Sequence, residues 1–312
     1  MWLYRCVTET QTQKFDLIIV GSGSGNSIPE YMNDWNIAIV ERGTYGGTCL
    51  NVGCIPSKMF VLPADAALSA QRSSKMNIET QYNGVDFAAL RDRVFGRIDA
   101  ISASGRDYRA TGSPNVTLFE GTARFIGDKL LEVDMNEGPQ RHLTAPQILL
   151  AAGARPVTPP IPGLVETGFH TSDTIMRLPS LPKRLGIIGG GFIAVEMGHI
   201  FSALGTEVIM MNRSNGLLRG FDRDVTERFT EIFAQRVDLR TGRVPTKVER
   251  SQNGIVITYG GENIVVDELL VATGREPNSD LLGVESGGLK CHDGGTVLVD
   301  DTMATNAEGV WA

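Results

Sequence analysis

Two glycine-rich turns, each placed directly after a short apolar run, constrain this chain more than any other feature. The first, Gly21-Ser22-Gly23-Ser24-Gly25-Asn26, follows Phe15-Asp16-Leu17-Ile18-Ile19-Val20. The second, Gly189-Gly190-Gly191-Phe192-Ile193-Ala194, follows Arg184-Leu185-Gly186-Ile187-Ile188. Runs of branched apolar residues without alternation read as strands buried on both faces of a parallel sheet. Beyond the first turn, Ser27 to Trp35 has the length of a crossover helix, with Pro29 comfortable only in its first turn, and Ile37-Ala38-Ile39-Val40-Glu41 is the next strand. Beyond the second, Phe192 to Leu204 predicts a helix and Glu207-Val208-Ile209-Met210-Met211 a strand. Each half then runs through β-type segments broken by turn residues, Val116 to Leu150 and roughly Asp238 to Val271, which read as antiparallel meanders. The halves close on Ala151-Ala152-Gly153 and Ala272-Thr273-Gly274. Two diverged copies of one nucleotide-binding plan, with a period near a domain length, are the simplest account.

With 312 residues the chain is long enough for two domains of ordinary size. Its 42% apolar and 21% charged residues place it among soluble globular proteins. No uncharged run is long enough to span a membrane, and Met1-Trp2-Leu3-Tyr4-Arg5-Cys6 lacks the apolar core of a secretory signal, so a cytoplasmic protein without membrane contact is expected. A net charge of −7 leaves no basic stripe for nucleic acid. The spacing predicts a loose leader over residues 1–14 with order starting at Phe15, a first domain over 15–155, a proline-rich linker over 156–182 and a second domain over 183–275. Residues 276–312 then return into the first domain. Helical patterns run from Cys54 to about Arg72 and from Phe87 to Arg109, and both are expected beside the sheet.

In the first turn, the glycines let the backbone approach a pyrophosphate where unpaired N–H groups favour anions. Glu41, 20 residues after Gly21 at the end of the next strand, is placed to accept hydrogen bonds from ribose hydroxyls. A glycine turn beside a surface glutamate is the plainer alternative. Asn26 stands where a third glycine would bring helix and strand close together.

The four cysteines are too few for a secreted disulfide scaffold, and Cys49 and Cys54 form the one close pair. Five positions of regular α-helix separate Cα atoms by roughly 7.5 Å in rise, beyond the usual disulfide range of about 4.4–6.8 Å. Joining the two therefore needs a compressed backbone, which Gly53 permits. Two free buried thiols, or a metal site lacking its other ligands, are the alternatives.

The stretch Gly46-Gly47-Thr48-Cys49-Leu50-Asn51-Val52-Gly53-Cys54-Ile55-Pro56-Ser57-Lys58 resembles the redox-disulfide motif of the flavin-dependent pyridine nucleotide-disulfide oxidoreductases. The resemblance implies an α/β fold of two Rossmann-like FAD- and NAD(P)-binding domains with three-layer ββα architecture. It also implies a Cys49–Cys54 redox disulfide. Cys49 would be the interchange thiol that attacks substrate, and Cys54 would face the flavin. Lys58 matches a lysine beside the flavin, with Glu196 as its ion-pair partner, and its charge should favour the Cys54 thiolate. The implied FAD contacts are Gly21, Gly23, Gly25, Glu41, Gly47, Thr48, Lys58, Ala123 and Gly153. Those implied for the nicotinamide cofactor and the return turn are Gly189, Gly191, Ile193, Glu196, Gly274 and Arg275.

The second turn is a G-x-G-x-x-A fingerprint, which with FAD on the first fits a nicotinamide cofactor. The following strand ends in Met211-Asn212-Arg213, where an NAD-selective fold would place an acid. Arg213 and Arg219 instead offer guanidinium groups able to fork around a 2′-phosphate, so NADPH is expected, with two solvated arginines as the alternative. Phe192 stands where relatives often carry a tyrosine lid. Gly23-Ser24-Gly25-Asn26-Ser27, Lys58-Met59-Phe60, Asn212-Arg213-Ser214 and Leu217-Leu218-Arg219 resemble the branch of the family that reduces mycothiol disulfide. Lipoamide and glutathione disulfide are rival substrates, and a nucleotide-binding module without turnover is the rival from outside the enzymes. The resemblance further implies a homodimer whose interface domain, following Ala312, carries a His-Glu acid–base pair. None of His142, His170, His199 and His292 sits in such a motif, and Cys6 and Cys291 are expected to be free thiols without a role.

Overall fold

The computed structural model describes residues 11–312. In chain order its strands begin with β1 (Thr12–Lys14), β2 (Leu17–Val20), β3 (Ile37–Glu41), β4 (Val116–Gly127), β5 (Leu130–Met135), β6 (Arg141–Thr144), β7 (Gln147–Leu150) and β8 (Ala154–Pro156). They continue with β9 (Arg184–Ile188), β10 (Glu207–Asn212), β11 (Asp238–Thr241), β12 (Lys247–Ser251), β13 (Gly254–Tyr259), β14 (Glu262–Val266), β15 (Glu268–Val271), β16 (Arg275–Pro277) and β17 (Val310–Trp311). The helices are α1 (Gly47–Asn51), α2 (Cys54–Arg72), α3 (Phe87–Asp107), α4 (Leu164–Thr167), α5 (Phe192–Leu204) and α6 (Arg223–Phe233).

The chain divides into two compact units. The first holds residues 11–49, Ala100–Arg155 and Glu276–Ala312, and the second holds Leu50–Asp99 and Pro156–Arg275. The expected first domain over 15–155 is thus interrupted, because residues 50–99 group with the second unit. Residues 156–182 group with it too. They are no free linker, since Leu164, Ile175 and Met176 are buried in its cores. The Cys6 expectation lies outside the described residues.

The first unit is built on one sheet in the order β1-β6-β5-β4-β3-β2-β7-β17. Strands β2, β3, β7 and β17 run parallel, and β3 also pairs in parallel with the first half of β4. The second half of β4 then turns antiparallel with β5, and β5 with β6. The expected meander is therefore β4 to β6 only, since β7 rejoins the parallel core. Alternate residues of β2 and β3 enter different cores: Ile18, Val20, Ala38 and Val40 one, Leu17, Ile19, Ile37 and Ile39 the other. Burial of both faces is why these runs show no polar alternation. Order begins earlier than Phe15, because Thr12–Lys14 pairs in parallel with β6 at the sheet edge.

The crossover between β2 and β3 contains no α-helix. Residues Ser24–Asn26 and Glu30–Met32 form single 3₁₀ turns, with Ser27 and Pro29 extended between them. The proline ring disfavours helical geometry at Ile28 and removes a donor, which leaves too few residues to nucleate a helix.

The second unit has three layers. A parallel sheet in the order β11-β10-β9-β15 forms the middle. One of its faces, with Ile188, Ile209, Met211, Leu269 and Val271, packs on Val248, Ile255, Ile257, Ile264 and Val266 of the antiparallel meander β12-β13-β14. The other face, with Leu185, Ile187, Val208, Met210 and Leu270, packs on Ala194, Met197, Ile200 and Phe201 of α5. Strands β11 and β15 belong to the parallel sheet, so this meander is also shorter than its sequence pattern. Helix α2 lies along α5, where Phe60 and Phe87 have ring centroids 5.8 Å apart and Phe87 and Phe201 6.0 Å apart.

Candidate functional site

In the first unit the glycine turn is a tight backbone shelf. Gly21 has φ +110°, and a Cβ there would lie 2.3 Å from the Ala151 carbonyl oxygen. A Cβ on Gly25 would strike the Ala151 methyl at 2.4 Å, and one on Gly47, at φ +67°, would meet the Gly23 Cα at 2.6 Å. Only residues without side chains pack this closely. Glu41 fastens the shelf. Its Oε2 accepts from the Ser22 N–H at 2.9 Å and the Ser22 hydroxyl at 2.6 Å, and its Oε1 accepts from the Gly43 N–H at 2.8 Å. The Ser22 hydroxyl in turn accepts from the Gly46 N–H at 2.8 Å. Glu41 is thus brought to the turn as expected, but much of its acceptor capacity closes the loop.

Asn26 has a definite task. Its amide donates to the Ser22 and Gly23 carbonyls, its Oδ1 accepts from the Tyr45 hydroxyl at 3.2 Å, and its carbonyl accepts from Arg109 at 3.1 Å. The side chain folds back and closes the 3₁₀ turn. Burial pushes the Tyr45 phenol up, against the opposing pull of Arg109. Gly153 adopts φ +66° and accepts from the Asn278 N–H at 3.0 Å. Ala123 lies mid-β4, opposite Val133, with its side chain in the apolar core.

The dithiol stretch forms two helical segments. Gly47, Thr48 and half-buried Cys49 lie in α1, and Cys54 is exposed as the first residue of α2, after Gly53. The break at Val52-Gly53 replaces the regular five-residue helical path. Within the second unit, α2 is fastened to α5 by a polar seam. Lys58 is ion-paired with Glu196, Asp65 lies 2.9 Å from His199 Nε2, and the Gln71 amide donates to the Ala203 carbonyl at 2.7 Å. Arg236 donates to His199 Nδ1 at 2.9 Å. Because a guanidinium only donates, that nitrogen is bare and Nε2 carries the proton towards Asp65. Burial, then the Arg236 charge, lower the His199 pKa in spite of Asp65, so the imidazole is held neutral.

The second glycine turn opens into a cavity of about 660 Å³ within the second unit. Gly189 has φ +141°, and a Cβ there would lie 2.3 Å from the Ala272 carbonyl oxygen, whereas one on Gly191 would meet nothing within 4 Å. Gly191 caps the 13-residue α5, whose first internal bond runs from the Val195 N–H to the Gly191 carbonyl. The N–H groups before Val195 mark a helix end suited to anions. The cavity brings together Gly189, Gly191, Ile193, Arg213, Arg219, Gly274 and Arg275. Asn212, already placed by the sequence where an acid would stand, also lines the cavity, and Phe221 and Arg243 are among the lining residues that the sequence did not single out. Phe221 and Arg243 sit in turns without a pattern. The exposed rings of Phe192 and Phe221 meet edge to face, centroids 5.5 Å apart. Among the described residues no cluster of three metal-ligating side chains exists, and no helix is long and apolar enough to cross a membrane.

The profile of the family described as pyridine nucleotide-disulphide oxidoreductase matches residues 15–312. Mycothione reductase from Mycobacterium tuberculosis is 43% identical over 307 residues, covering 96% of this chain and 66% of that protein. Mercuric reductase from Staphylococcus aureus is 36% identical, covering 96% of this chain and 55% of that one. A solved structure of the HOCl-induced flavoprotein disulfide reductase RclA from Escherichia coli, in complex with Cu(II), superposes with a TM-score of 0.83 at 28% identity, over 96% of this chain and 65% of its own. The chain thus spans about two thirds of the length of the first of these relatives and little over half of the second. With two glycine turns on parallel strands, the Cys54 helix α2 fastened to α5, and these matches, the chain belongs to the pyridine nucleotide-disulphide oxidoreductase family.

Proposed function

We propose that this chain serves the NADPH-dependent flavoprotein reduction of a low-molecular-weight disulfide, with mycothiol disulfide as the substrate. The seam between α2 and α5 carries the reading. It fixes the helix that opens with Cys54 to the helix that opens the second glycine turn, through Lys58 and Glu196.

The residues present fit both cofactors. The shelf of Gly21, Gly25 and Gly47, where a side chain would clash, suits a pyrophosphate, and with Gly23, Glu41, Thr48, Ala123 and Gly153 it would hold FAD. Gly189, Gly191, Ile193, Arg213, Arg219, Gly274 and Arg275 would hold NADPH, the two arginines gripping the 2′-phosphate. Bound FAD supplies a two-electron carrier between nicotinamide and sulfur. The chain's own chemistry is thiol exchange. The Cys49 thiolate attacks one sulfur of the substrate disulfide and expels the first thiol, leaving a mixed disulfide. Cys54 thiolate then attacks the Cys49 sulfur, expels the second thiol and closes a Cys49–Cys54 disulfide. Two electrons and one proton from NADPH and a second proton from solvent balance its reopening, so NADPH, a proton and one disulfide give NADP⁺ and two thiols. Lys58, held by Glu196, supplies positive charge near the Cys54 sulfur.

An anaerobic NADPH titration of the FAD-loaded chain tests this. Flavin bleaching followed by a long-wavelength band that C54S abolishes is the expected result. Nucleotide binding without bleaching would reduce the protein to a nucleotide-binding module. Mycothiol disulfide, lipoamide, glutathione disulfide and Hg(II), the last suggested by the mercuric reductase relatives, form the substrate panel.

A further inference from the structure

Asn212 ends β10, the position from which an acid would grip a ribose diol in an NAD-selective site. Its amide does something else. Nδ2 donates to the Ser214 carbonyl at 3.1 Å and to the Gly216 carbonyl at 2.8 Å. Two carbonyls can only accept, so the NH₂ side of the amide must face the turn. A Cβ on Gly190 would lie 2.5 Å from the amide atoms, which puts Asn212 flat against the middle glycine of the fingerprint. The turn it closes is bracketed by Arg213 and Arg219 and tied down at its far end, where the Leu218 N–H donates to the Gly190 carbonyl at 2.8 Å. Buried Leu217 anchors it below.

We infer that Asn212 determines nucleotide selectivity at this cavity, by building the turn that holds Arg213 and Arg219 in place and by keeping a carboxylate out of it. The inference deepens the NADPH reading and rests on it. An aspartate has the same size but no donor. It would face two carbonyl oxygens, swing away from them, loosen the turn and set a negative charge beside the phosphate site. A leucine would lose both hydrogen bonds and add no charge. Asn212 is thus a positioning residue with an electrostatic share.

The test is calorimetric titration of the full chain with 2′,5′-ADP and with 5′-AMP, which differ by the 2′-phosphate, for wild type, N212L, N212D and R213A. Wild type and N212L should differ about tenfold in their preference for 2′,5′-ADP, the scale of two modest hydrogen bonds, with 5′-AMP binding held within about twofold. N212D should lose more of the preference than N212L, because repulsion is added. Should N212L fail to fold, the isosteric N212D decides alone. A folded N212L or N212D with the wild-type ratio, beside an R213A that loses it, would overturn the inference. A wild type without any preference would overturn the NADPH reading itself.

Discussion

Cys54 opens a 19-residue helix, and Lys58 stands one turn further on. The Cys54 side chain is exposed at that helix end. Cys291 is the contrast: burial first, then the Glu285 charge, push its thiol up. In the reduced chain at neutral pH, iodoacetamide should label Cys54 ahead of Cys291. K58M should slow labelling at Cys54 by about threefold, the worth of one partly exposed charge, and leave Cys291 alone. Peptide mass spectrometry reads both rates, and an unchanged Cys54 rate would remove Lys58 from the chemistry. A second residue-scale effect concerns pH. His199 is faced by Asp65, Arg236 and Glu196, and burial with Arg236 depresses its folded-state pKa. The folded chain therefore binds this proton less readily than the unfolded chain. The stabilisation is complete above the unfolded value of about 6.5 and is lost as pH falls through the depressed value. Melting temperatures of H199Q should consequently fall less steeply than those of wild type below pH 6.5, and parallel curves would exclude His199 as the source.

Among the elements, Gly189 and Gly191 stand two residues apart and should respond oppositely. G189A forces a methyl group into a φ of +141° and against the Ala272 carbonyl, so it should cost roughly 2 kcal/mol or more of stability. Gly191 has ordinary φ and open space around it, so G191A should melt like wild type yet weaken nucleotide binding by filling the cavity. Equal melting of the two variants would refute this account of the turn. Such turns, like the periodic helices over Cys54–Arg72 and Phe192–Leu204, were legible because their cause is local: a backbone only glycine adopts, or one apolar stripe. What escaped was set by distant partners. Strands β7, β11 and β15 look like the ends of meanders, since a four-residue strand reads alike whichever way its neighbours run. The Thr12–Lys14 strand has no apolar signal, because it sits at an edge and is defined by hydrogen bonds to β6. In the candidate site, the glycines and arginines could be read from spacing, whereas the roles of Asn212 and Phe221 depend on contacts that only the folded turn brings about.

Taken as a molecule, the chain carries its two glycine turns on different sheets with separate apolar cores. A ligand that binds only the native state stabilises the part that holds it, by about 2.7 kcal/mol at a hundredfold excess over its Kd. Amide exchange in such a part slows accordingly, because opening must now release the ligand. Nucleotide assignment can therefore be read without turnover. With 2′,5′-ADP added, slowed exchange should centre on residues 189–195 and 212–219, where the first turn of α5 and the Asn212 turn line the cavity. With FAD added, it should centre on residues 21–26 and 41–47, where Ser22, Glu41 and Gly46 share one hydrogen-bonded network. The arrangement of fingerprints decides this outcome: the first turn is followed by single 3₁₀ turns and relies on its glycine shelf, while the second is followed by a full helix and flanked by Arg213 and Arg219. Exchange by hydrogen–deuterium mass spectrometry that slowed at residues 21–26 with 2′,5′-ADP, and at 212–219 with FAD, would reverse the assignment of the two turns.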